Sequence, residues 1–220
     1  VVAHNLALSA YSAIVCFPII SAVITNFIRH PLIEALNDSH GVLKEAHVDF
    51  WAWTFYLSKY YEVMDSVIHW AKGRPIPFLQ SFHHTGVIFN LWIMCCTENK
   101  GLWIYPAFNG FVHTIMYLYY AASAVGIRFP FKKYITVIQI AQFITAGMGL
   151  NMLYFVNRKS YSYGPLKDYN IVAKVLGMDT HQSNEISQYF TFAYVGALLC
   201  LFISFFRSAY NSYSVSKKKE

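Results

Sequence analysis

Long apolar blocks separated by short polar loops constrain this chain more than any other feature of its sequence. A bilayer core about 30 Å thick needs about 20 mostly apolar residues per helix. Polar residues inside the blocks recur at steps of three and four, which favours helices over strands. We therefore predict an all-α polytopic membrane protein, with six transmembrane helices in a single domain over residues 1–220. The predicted spans are 5–28, 48–71, 84–97, 103–125, 134–156 and 188–210.

Charge placement predicts the orientation of these spans. Only 13% of the residues are charged, whereas soluble domains carry about a quarter. If both termini are cytosolic, the cytosolic loops and tail hold an excess of bases and one acid, Glu220, as the positive-inside tendency requires. The lysines of segment 217–220 match a dilysine retrieval signal or bind anionic lipids of the membrane. We expect a multi-pass protein of the endoplasmic reticulum membrane with a cytosolic C-terminus, and no nucleic-acid partner.

Ionisable residues gather in the second predicted span. Such residues cost about 2.5–3.5 kcal/mol each at bilayer depth and need partners. Steps of three and four place Lys59, Glu62 and Asp65 on one helical face, and His69 continues it. This face either forms a structural ion-pair ladder between helices or lines a polar cavity open towards the cytosol.

Adjacent histidines lie at the start of the third predicted span, in the segment Gln80-Ser-Phe-His83-His84. Neighbouring residues of a helix point about 100° apart, so one histidine can face a reaction centre while the other supports it. The segment also resembles one iron-binding box of membrane desaturases. A di-iron site needs several such boxes, and the other histidines of this chain are isolated. We therefore expect no metal and no redox cofactor.

The fourth and fifth predicted spans each carry one polar stripe. A lone histidine such as His113 can be a hydrogen-bonded core residue, but four polar faces on four helices favour a shared site. They predict a helical barrel around a polar chamber. The residues of the two stripes are Asn109, His113, Met116, Tyr117, Tyr120, Thr136, Gln139 and Gln142.

Four motifs in order over residues 59–143 resemble those of the ELO family of long-chain and very-long-chain fatty acid elongases. Family members usually have seven helices, and His4-Asn5 resembles the start of the second, so we expect the first helix to be absent here. Gln80 replaces the first histidine of the family's HxxHH box, as in microbial elongases of polyunsaturated chains, and Ser66 replaces a threonine. The motifs are Lys59-x-x-Glu62-x-x-Asp65-Ser66 (KxxExxDT), Gln80-x-x-His83-His84 (HxxHH), Asn109-x-x-x-His113-x-x-Met116-Tyr117-x-Tyr119-Tyr120 (NxxxHxxMYxYY) and Thr136-x-x-Gln139-x-x-Gln142-Phe143 (TxxQxxQF).

The resemblance implies an acyltransferase that joins a long-chain, polyunsaturated acyl-CoA to malonyl-CoA. The products are CO2, CoA and a 3-oxoacyl-CoA two carbons longer, and no further cofactor is needed. Because no cysteine lies in a polar stripe, we expect His83 to be the nucleophile. His84 is expected to orient it or to stabilise an oxyanion, and His113 to act as acid and base.

The remaining expected site residues bind substrate. The CoA phosphates should pair with bases at the cytosolic mouth, although these bases also serve as inside-positive anchors. Other expected partners are membrane lipids and the reductases and dehydratase of the elongation cycle, and the sequence is compatible with an oligomer. A transporter or lipid-binding bundle is the rival class, since polar stripes also mark substrate pathways. The expected substrate-binding residues are Lys59, Glu62, Asp65, Gln80, Asn109, Met116, Tyr117, Tyr120, Gln139 and Gln142, and the CoA-phosphate candidates are Lys72, Arg74, Arg128, Lys132 and Lys133.

Overall fold

A computed structural model describes residues 1–97, 99–127, 129–157 and 171–211 of the chain. These residues form helices joined by short loops. A 3-10 turn precedes α7, and π-helical segments connect α8 to α9 and extend α11. The elements are α1 (Val2–Arg29), α2 (Leu32–Leu36), α3 (Val42–Glu45), α4 (Val48–Glu62), α5 (Met64–Ala71), α6 (Phe78–Cys96), the 3-10 turn (Lys100–Trp103), α7 (Ile104–Ala124), α8 (Lys132–Gln142), the first π segment (Phe143–Leu150), α9 (Asn151–Asn157), α10 (Ile171–Leu176), α11 (Thr180–Phe206) and the second π segment (Arg207–Asn211).

Local sequence signals explain where several of these helices begin and end. Asp179 caps α11, because its carboxylate accepts from the Gln182 backbone N–H at 2.8 Å while the Gln182 side chain accepts from the Asp179 N–H at 3.2 Å. Gly73 adopts a φ of +64° just after α5, a conformation that suits glycine, and Pro77 then stands at the N-cap of α6. The loop between α5 and α6 is therefore sharply defined.

Glycines allow three close helix contacts in the bundle. A Cβ on Gly110 of α7 would lie 2.8 Å from the Cβ of Cys16 on α1. A Cβ on Gly147 would lie 2.7 Å from a methyl carbon of Val195 on α11, and the ring of Tyr194 occupies the place of a Cβ at Gly86. Small residues at such positions let helix backbones approach closely, which is how helices associate where no water drives them together.

Within the described residues the prediction of an all-α chain is confirmed, and each predicted span is helical over most of its length. Among the described residues, three helices are long and apolar enough to cross a membrane: Val2–Arg29, Lys132–Asn157 and Gln182–Tyr210. The helices that carry the predicted lysine and histidine motifs, α4 to α7, fall outside this group. The break at Val63 leaves α4 and α5 too short, with 15 and 8 residues, and polar residues lower the hydropathy of α6 and α7.

Two boundaries differ from the sequence prediction. The second span is two helices rather than one, because α4 ends at Glu62 and a turn at Val63 precedes α5. The Val63 carbonyl accepts from the backbone N–H groups of both Ser66 and Val67. The third span is longer than predicted, since α6 already begins at Phe78.

Candidate active site

A cavity of about 730 Å³ lies where one set of helix ends meets, and we call it the chamber. All the long helical segments contribute to its wall: the starts of α1, α6 and α8, and the ends of α5, α7 and α11. Successive segments run in opposite directions, so these ends lie on the side that the charge pattern assigns to the cytosol. The loops predicted to be cytosolic therefore flank the chamber.

Most of the predicted site residues line the chamber. Lys59 does not, because it is completely buried behind the wall, and neither does Lys133, whose ammonium lies 5.8 Å from the Phe206 ring centroid. Arg128 and the tail 217–220 lie outside the described residues. The predicted residues in the wall are Glu62, Asp65, Lys72, Arg74, Gln80, His83, His84, Asn109, His113, Met116, Tyr117, Tyr120, Lys132, Gln139 and Gln142.

A buried cluster of charged and polar groups joins α4 to α7. The Lys59 Nζ donates to Glu62 Oε1 at 2.7 Å and to Asn109 Oδ1 at 3.0 Å, and it lies 4.0 Å from the centroid of the Phe55 ring. Burying an ion pair is costly unless further hydrogen bonds satisfy its members. Lys59 meets this requirement and holds two wall residues in place from behind.

His113 stands beside this cluster. Its Nδ1 lies 3.5 Å from Glu62 Oε1, which is longer than an ordinary hydrogen bond. Within the described residues, His113 Nδ1 and Glu62 Oε2 are both buried without a hydrogen-bond partner. Buried polar atoms normally have partners, so this pair is available to a bound molecule.

The two adjacent histidines of α6 form another part of the wall. Their ring centroids are 5.2 Å apart and the ring planes meet at 80°, so the rings present different edges to the chamber. His84 is buried, and its Nδ1 also has no partner among the described residues. The Tyr194 hydroxyl donates to the His83 carbonyl at 3.0 Å and ties this turn of α6 to α11.

Gln80 has a partner that the sequence did not indicate. Its amide nitrogen donates to Ser66 Oγ at 3.1 Å, which connects α6 to α5 across the loop between them. Its position three residues before His83 predicts a bond to His83 or to a substrate thioester, and the structure gives its amide nitrogen Ser66 as partner instead. Ser66 stands where the family has threonine, and Gln80 stands where the family has histidine. The Ser66 hydroxyl therefore holds Gln80 in place.

Asp65 receives two hydrogen bonds from two other helices. Its Oδ1 lies 2.8 Å from His4 Nε2 of α1, and its Oδ2 accepts from the Tyr117 hydroxyl of α7 at 2.7 Å. Tyr117 in turn meets His113 edge-on, with ring centroids 5.4 Å apart at 87°. Asp65 thus connects three helices at the wall.

Sequence reasoning missed several residues of the wall as site residues. His4 and Asn5 could have been found from the resemblance of this dipeptide to a family helix start, and His69 and Thr136 lie on polar faces that were noted. Ser123 carried no signal. The wall residues absent from the predicted site are His4, Asn5, His69, Tyr119, Ser123 and Thr136 among the polar ones, and Ile68, Leu79, Ile135, Phe143, Phe202 and Phe205 among the larger apolar ones.

The wall combines three chemically different sectors. The basic side chains of Lys72, Arg74 and Lys132 are exposed at the mouth, whereas the histidines and amides of the wall are buried or half-buried. Phe143 and Phe202 belong to an apolar sector between α8 and α11. Such a wall suits a molecule with an anionic head, a reactive polar centre and an apolar chain. In the described part of the chain, no three His, Cys, Asp or Glu side chains are grouped so that they could hold a metal ion.

The fold and the site define the class of this protein. It is a membrane protein whose helices surround a polar chamber lined by histidines. Comparison with protein families identifies it further, because the model of the ELO (GNS1/SUR4) family matches residues 1–219. The chain belongs to this family, and the resemblance seen in its motifs is confirmed.

Individual relatives point the same way. The chain is 34% identical over 158 residues to fatty acid elongase sre1 of Dictyostelium discoideum, covering 71% of the chain and 59% of the relative. It is 33% identical over 144 residues to fatty acid elongase 2 of Trypanosoma brucei brucei, covering 64% and 53%, respectively. It is 26% identical over 172 residues to long chain fatty acid elongase 2 of Caenorhabditis elegans, covering 77% and 62%. The chain thus spans between half and two thirds of these relatives. No solved structure gives a significant match.

Proposed function

We propose that this protein is the condensing enzyme of fatty acid elongation. It joins a long-chain acyl-CoA to malonyl-CoA and gives a 3-oxoacyl-CoA two carbons longer. One observation carries the proposal: His83, His84 and His113, from two different helices, line one chamber that has a basic mouth and an apolar sector. Membership of the ELO family and relatives named as fatty acid elongases support it.

In the first step, His83 takes the acyl group. A neutral imidazole nitrogen attacks the thioester carbonyl, the C–S bond breaks, and the CoA thiolate leaves with the imidazole proton. The product is an acyl-imidazole, which is a reactive acyl donor. His84 meets His83 at a steep ring angle and so can orient it or donate to the oxyanion of the tetrahedral intermediate.

In the second step, malonyl-CoA loses CO2 and its enolate attacks the acyl-imidazole. A C–C bond forms, the C–N bond to His83 breaks, and the ring regains a proton, so the whole reaction consumes one proton. In this proposal, His113 donates to the enolate oxygen. Asn109, Gln139 and Gln142 supply neutral amides for the thioester carbonyls. The loss of CO2 drives the step without a metal or redox group.

The basic mouth binds the CoA phosphates in this proposal. Lys72, Arg74 and Lys132 line the chamber where the CoA parts of both substrates would enter from the cytosol. Arg128, a further CoA-phosphate candidate from the sequence, lies outside the described residues. Charge-assisted contacts with phosphate are among the stronger hydrogen bonds of proteins, and exposure to water weakens them.

The membrane arrangement follows from the helices and the charge pattern. We propose six spans forming a barrel around the chamber, in one domain, within the endoplasmic reticulum membrane and with the C-terminus in the cytosol. The chamber mouth then faces cytosolic malonyl-CoA, and the acyl chain lies along the apolar sector. The product would pass to the reductases and dehydratase that complete the cycle.

We propose a polyunsaturated acyl-CoA of 18 to 20 carbons as the substrate. This assignment rests on Gln80, which replaces the first histidine of the family's box. Competition between saturated and polyunsaturated acyl-CoAs of equal length tests this assignment. A preference for the saturated chain would remove it and leave the condensing activity in place.

The experiment that tests the function uses purified protein, an acyl-CoA and radiolabelled malonyl-CoA. We expect a labelled 3-oxoacyl-CoA and release of CO2. Substrates that bind but remain unaltered would favour a carrier or transporter and would contradict the proposal. Adding a strong chelator should leave the rate unchanged.

A further inference from the structure

His4 occupies an unusual place for a residue outside the four motifs. It lies in the first turn of α1 and lines the chamber, with 11% of its side chain exposed. Its Nε2 lies 2.8 Å from Asp65 Oδ1, so Nε2 carries a proton and donates to the carboxylate. Its Nδ1 lies 3.3 Å from the Tyr61 hydroxyl, and the two rings are 5.5 Å apart. Both ring nitrogens of His4 therefore have hydrogen-bond partners.

The partner of His4 leads directly to the reaction centre. Asp65 accepts from His4 with one oxygen and from Tyr117 with the other, so the two donors hold opposite sides of one carboxylate. Tyr117 is almost completely buried, and the edge contact between its ring and His113 leaves little freedom for either ring. The chain of contacts runs from α1 through α5 to the proposed acid and base on α7.

We propose that His4 is a positioning residue of the condensation site, an inference that rests on the proposed function. Its hydrogen bond fixes the Asp65 carboxylate, which fixes the Tyr117 hydroxyl, and the Tyr117 ring fixes the plane of His113. Without the His4 donor, the carboxylate can rotate and Tyr117 loses its fixed acceptor. His113 then no longer meets the enolate oxygen in one orientation, and displacements of about 1 Å can cost about a hundredfold in rate.

Two substitutions distinguish the contribution of the His4 hydrogen bond to Asp65 from that of the His4 ring. His4→Phe keeps an aromatic ring against Tyr61 and removes the donor to Asp65. His4→Gln loses the ring and keeps an amide donor of similar reach. The matched control is His30→Phe, because His30 stacks on His40 at the opposite end of α1 with ring centroids 3.8 Å apart.

The measurement is steady-state condensation by the full purified chain, with the rate expressed per folded molecule. We expect His4→Phe to lower kcat about tenfold or more while KM for malonyl-CoA changes less than about twofold. His4→Gln should recover most of the lost kcat, and His30→Phe should match the wild type. His4→Leu replaces His4→Phe if the latter does not fold.

A double-mutant cycle tests the proposed route. Because His4 acts through Asp65 on Tyr117, the losses from His4→Phe and Tyr117→Phe should not add. Additive losses, or a His4→Phe enzyme with wild-type kcat, would overturn the inference and leave the elongase function standing. If the wild-type protein makes no product, the proposed function fails and the inference with it.

Discussion

The chamber and a cluster of buried amides at the opposite end of the helical bundle differ in how their polar groups are hydrogen-bonded. At the chamber, Glu62 Oε2, His84 Nδ1, His113 Nδ1 and Gln142 Oε1 have no hydrogen-bond partner among the described residues. At the opposite end, four buried amides each use both their oxygen and their nitrogen. We call these amides and their partners the amide network. Its members are Asn90, Met94, Asn99, Gly101, Tyr105, Asn151, Ser187, Gln188 and Thr191.

The amide network joins parts of the chain that are far apart in sequence. Asn99 donates to Gln188 at 3.0 Å, Gln188 donates to Asn151 at 3.0 Å, and Asn151 donates to the Tyr105 hydroxyl at 3.0 Å. Nearby, Thr191 donates to Asn90 at 2.8 Å. Satisfied networks of this kind hold helices in one register, because every alternative arrangement leaves a buried polar group without a partner.

The two regions have different roles: the amide network holds the helices together, and the chamber groups are available for a substrate. Polar groups that satisfy one another have no capacity left for a substrate, whereas the chamber groups do. Substitutions in the amide network should therefore reduce stability before they reduce the rate per folded molecule. Substitutions at the unpaired chamber groups should do the reverse, and the following expectations test this contrast from the largest effect to the smallest.

The largest effect is expected at His113. His113→Gln keeps a polar side chain of similar size and removes the acid and base, so condensation should fall about 10²–10⁴-fold. His113→Ala should likewise abolish condensation. The melting temperature of His113→Gln should stay near that of the wild type. The control is His30→Gln, and a rate for His113→Gln within about threefold of that control would remove His113 from the mechanism.

The next largest effect is a loss of stability at Gly86 of α6, which lies between the chamber and the amide network. The ring of Tyr194 lies where a Cβ of residue 86 would be, so Gly86→Ala should destabilise the protein by about 1–3 kcal/mol. Gly196 of α11 is the matched control, because no atom lies within 4 Å of its Cβ position. Gly196→Ala should be neutral or stabilising by up to about 1 kcal/mol. Thermal unfolding in detergent measures both, and equal stabilities would contradict the packing described for α6 and α11.

A smaller effect is expected at Gln80. Gln80→Leu leaves Ser66 without its partner at the chamber wall, a loss of about 1–3 kcal/mol that should appear in kcat/KM. Gln80→His restores a donor and should retain substantial activity. An active Gln80→Leu enzyme would show that the bond to Ser66 contributes little to the site.

The smallest effect separates two adjacent lysines. Lys132 lines the chamber and Lys133 lies over Phe206, so only Lys132→Ala should raise KM for malonyl-CoA, by about two- to fivefold. The increase should shrink at high salt, because salt screens exposed charges. Equal effects of Lys133→Ala would indicate a diffuse positive surface rather than a defined phosphate contact.

The sequence predicted the helices and the chamber from periodic signals. The stripes of α6, α7 and α8 repeat at helical spacing, and most of their residues reach the wall as expected. Periodicity alone could not indicate which neighbour each polar group meets. Gln80 pairs with Ser66 across a loop, a contact that depends on the turn after α5.

Contacts between distant residues account for what the sequence did not provide. His4 and Asp65 are 61 residues apart, and Asn99 and Gln188 are 89 residues apart. Isolated polar residues in apolar helices carry no signal of their partners until the helices are packed. The turn at Val63 was missed for a related reason, since no glycine or proline marks it.

The contrast between chemistry and architecture is tested most directly by measuring His83→Ala and Gln188→Leu side by side. The measurement is formation of labelled 3-oxoacyl-CoA per mole of folded protein, at a temperature where both variants remain folded. We predict that His83→Ala folds like the wild type and forms no product, and that Gln188→Leu melts at a lower temperature and retains the wild-type rate. Near-wild-type product formation by His83→Ala, with loss of the rate in Gln188→Leu, would contradict the assignment of the chamber as the active site.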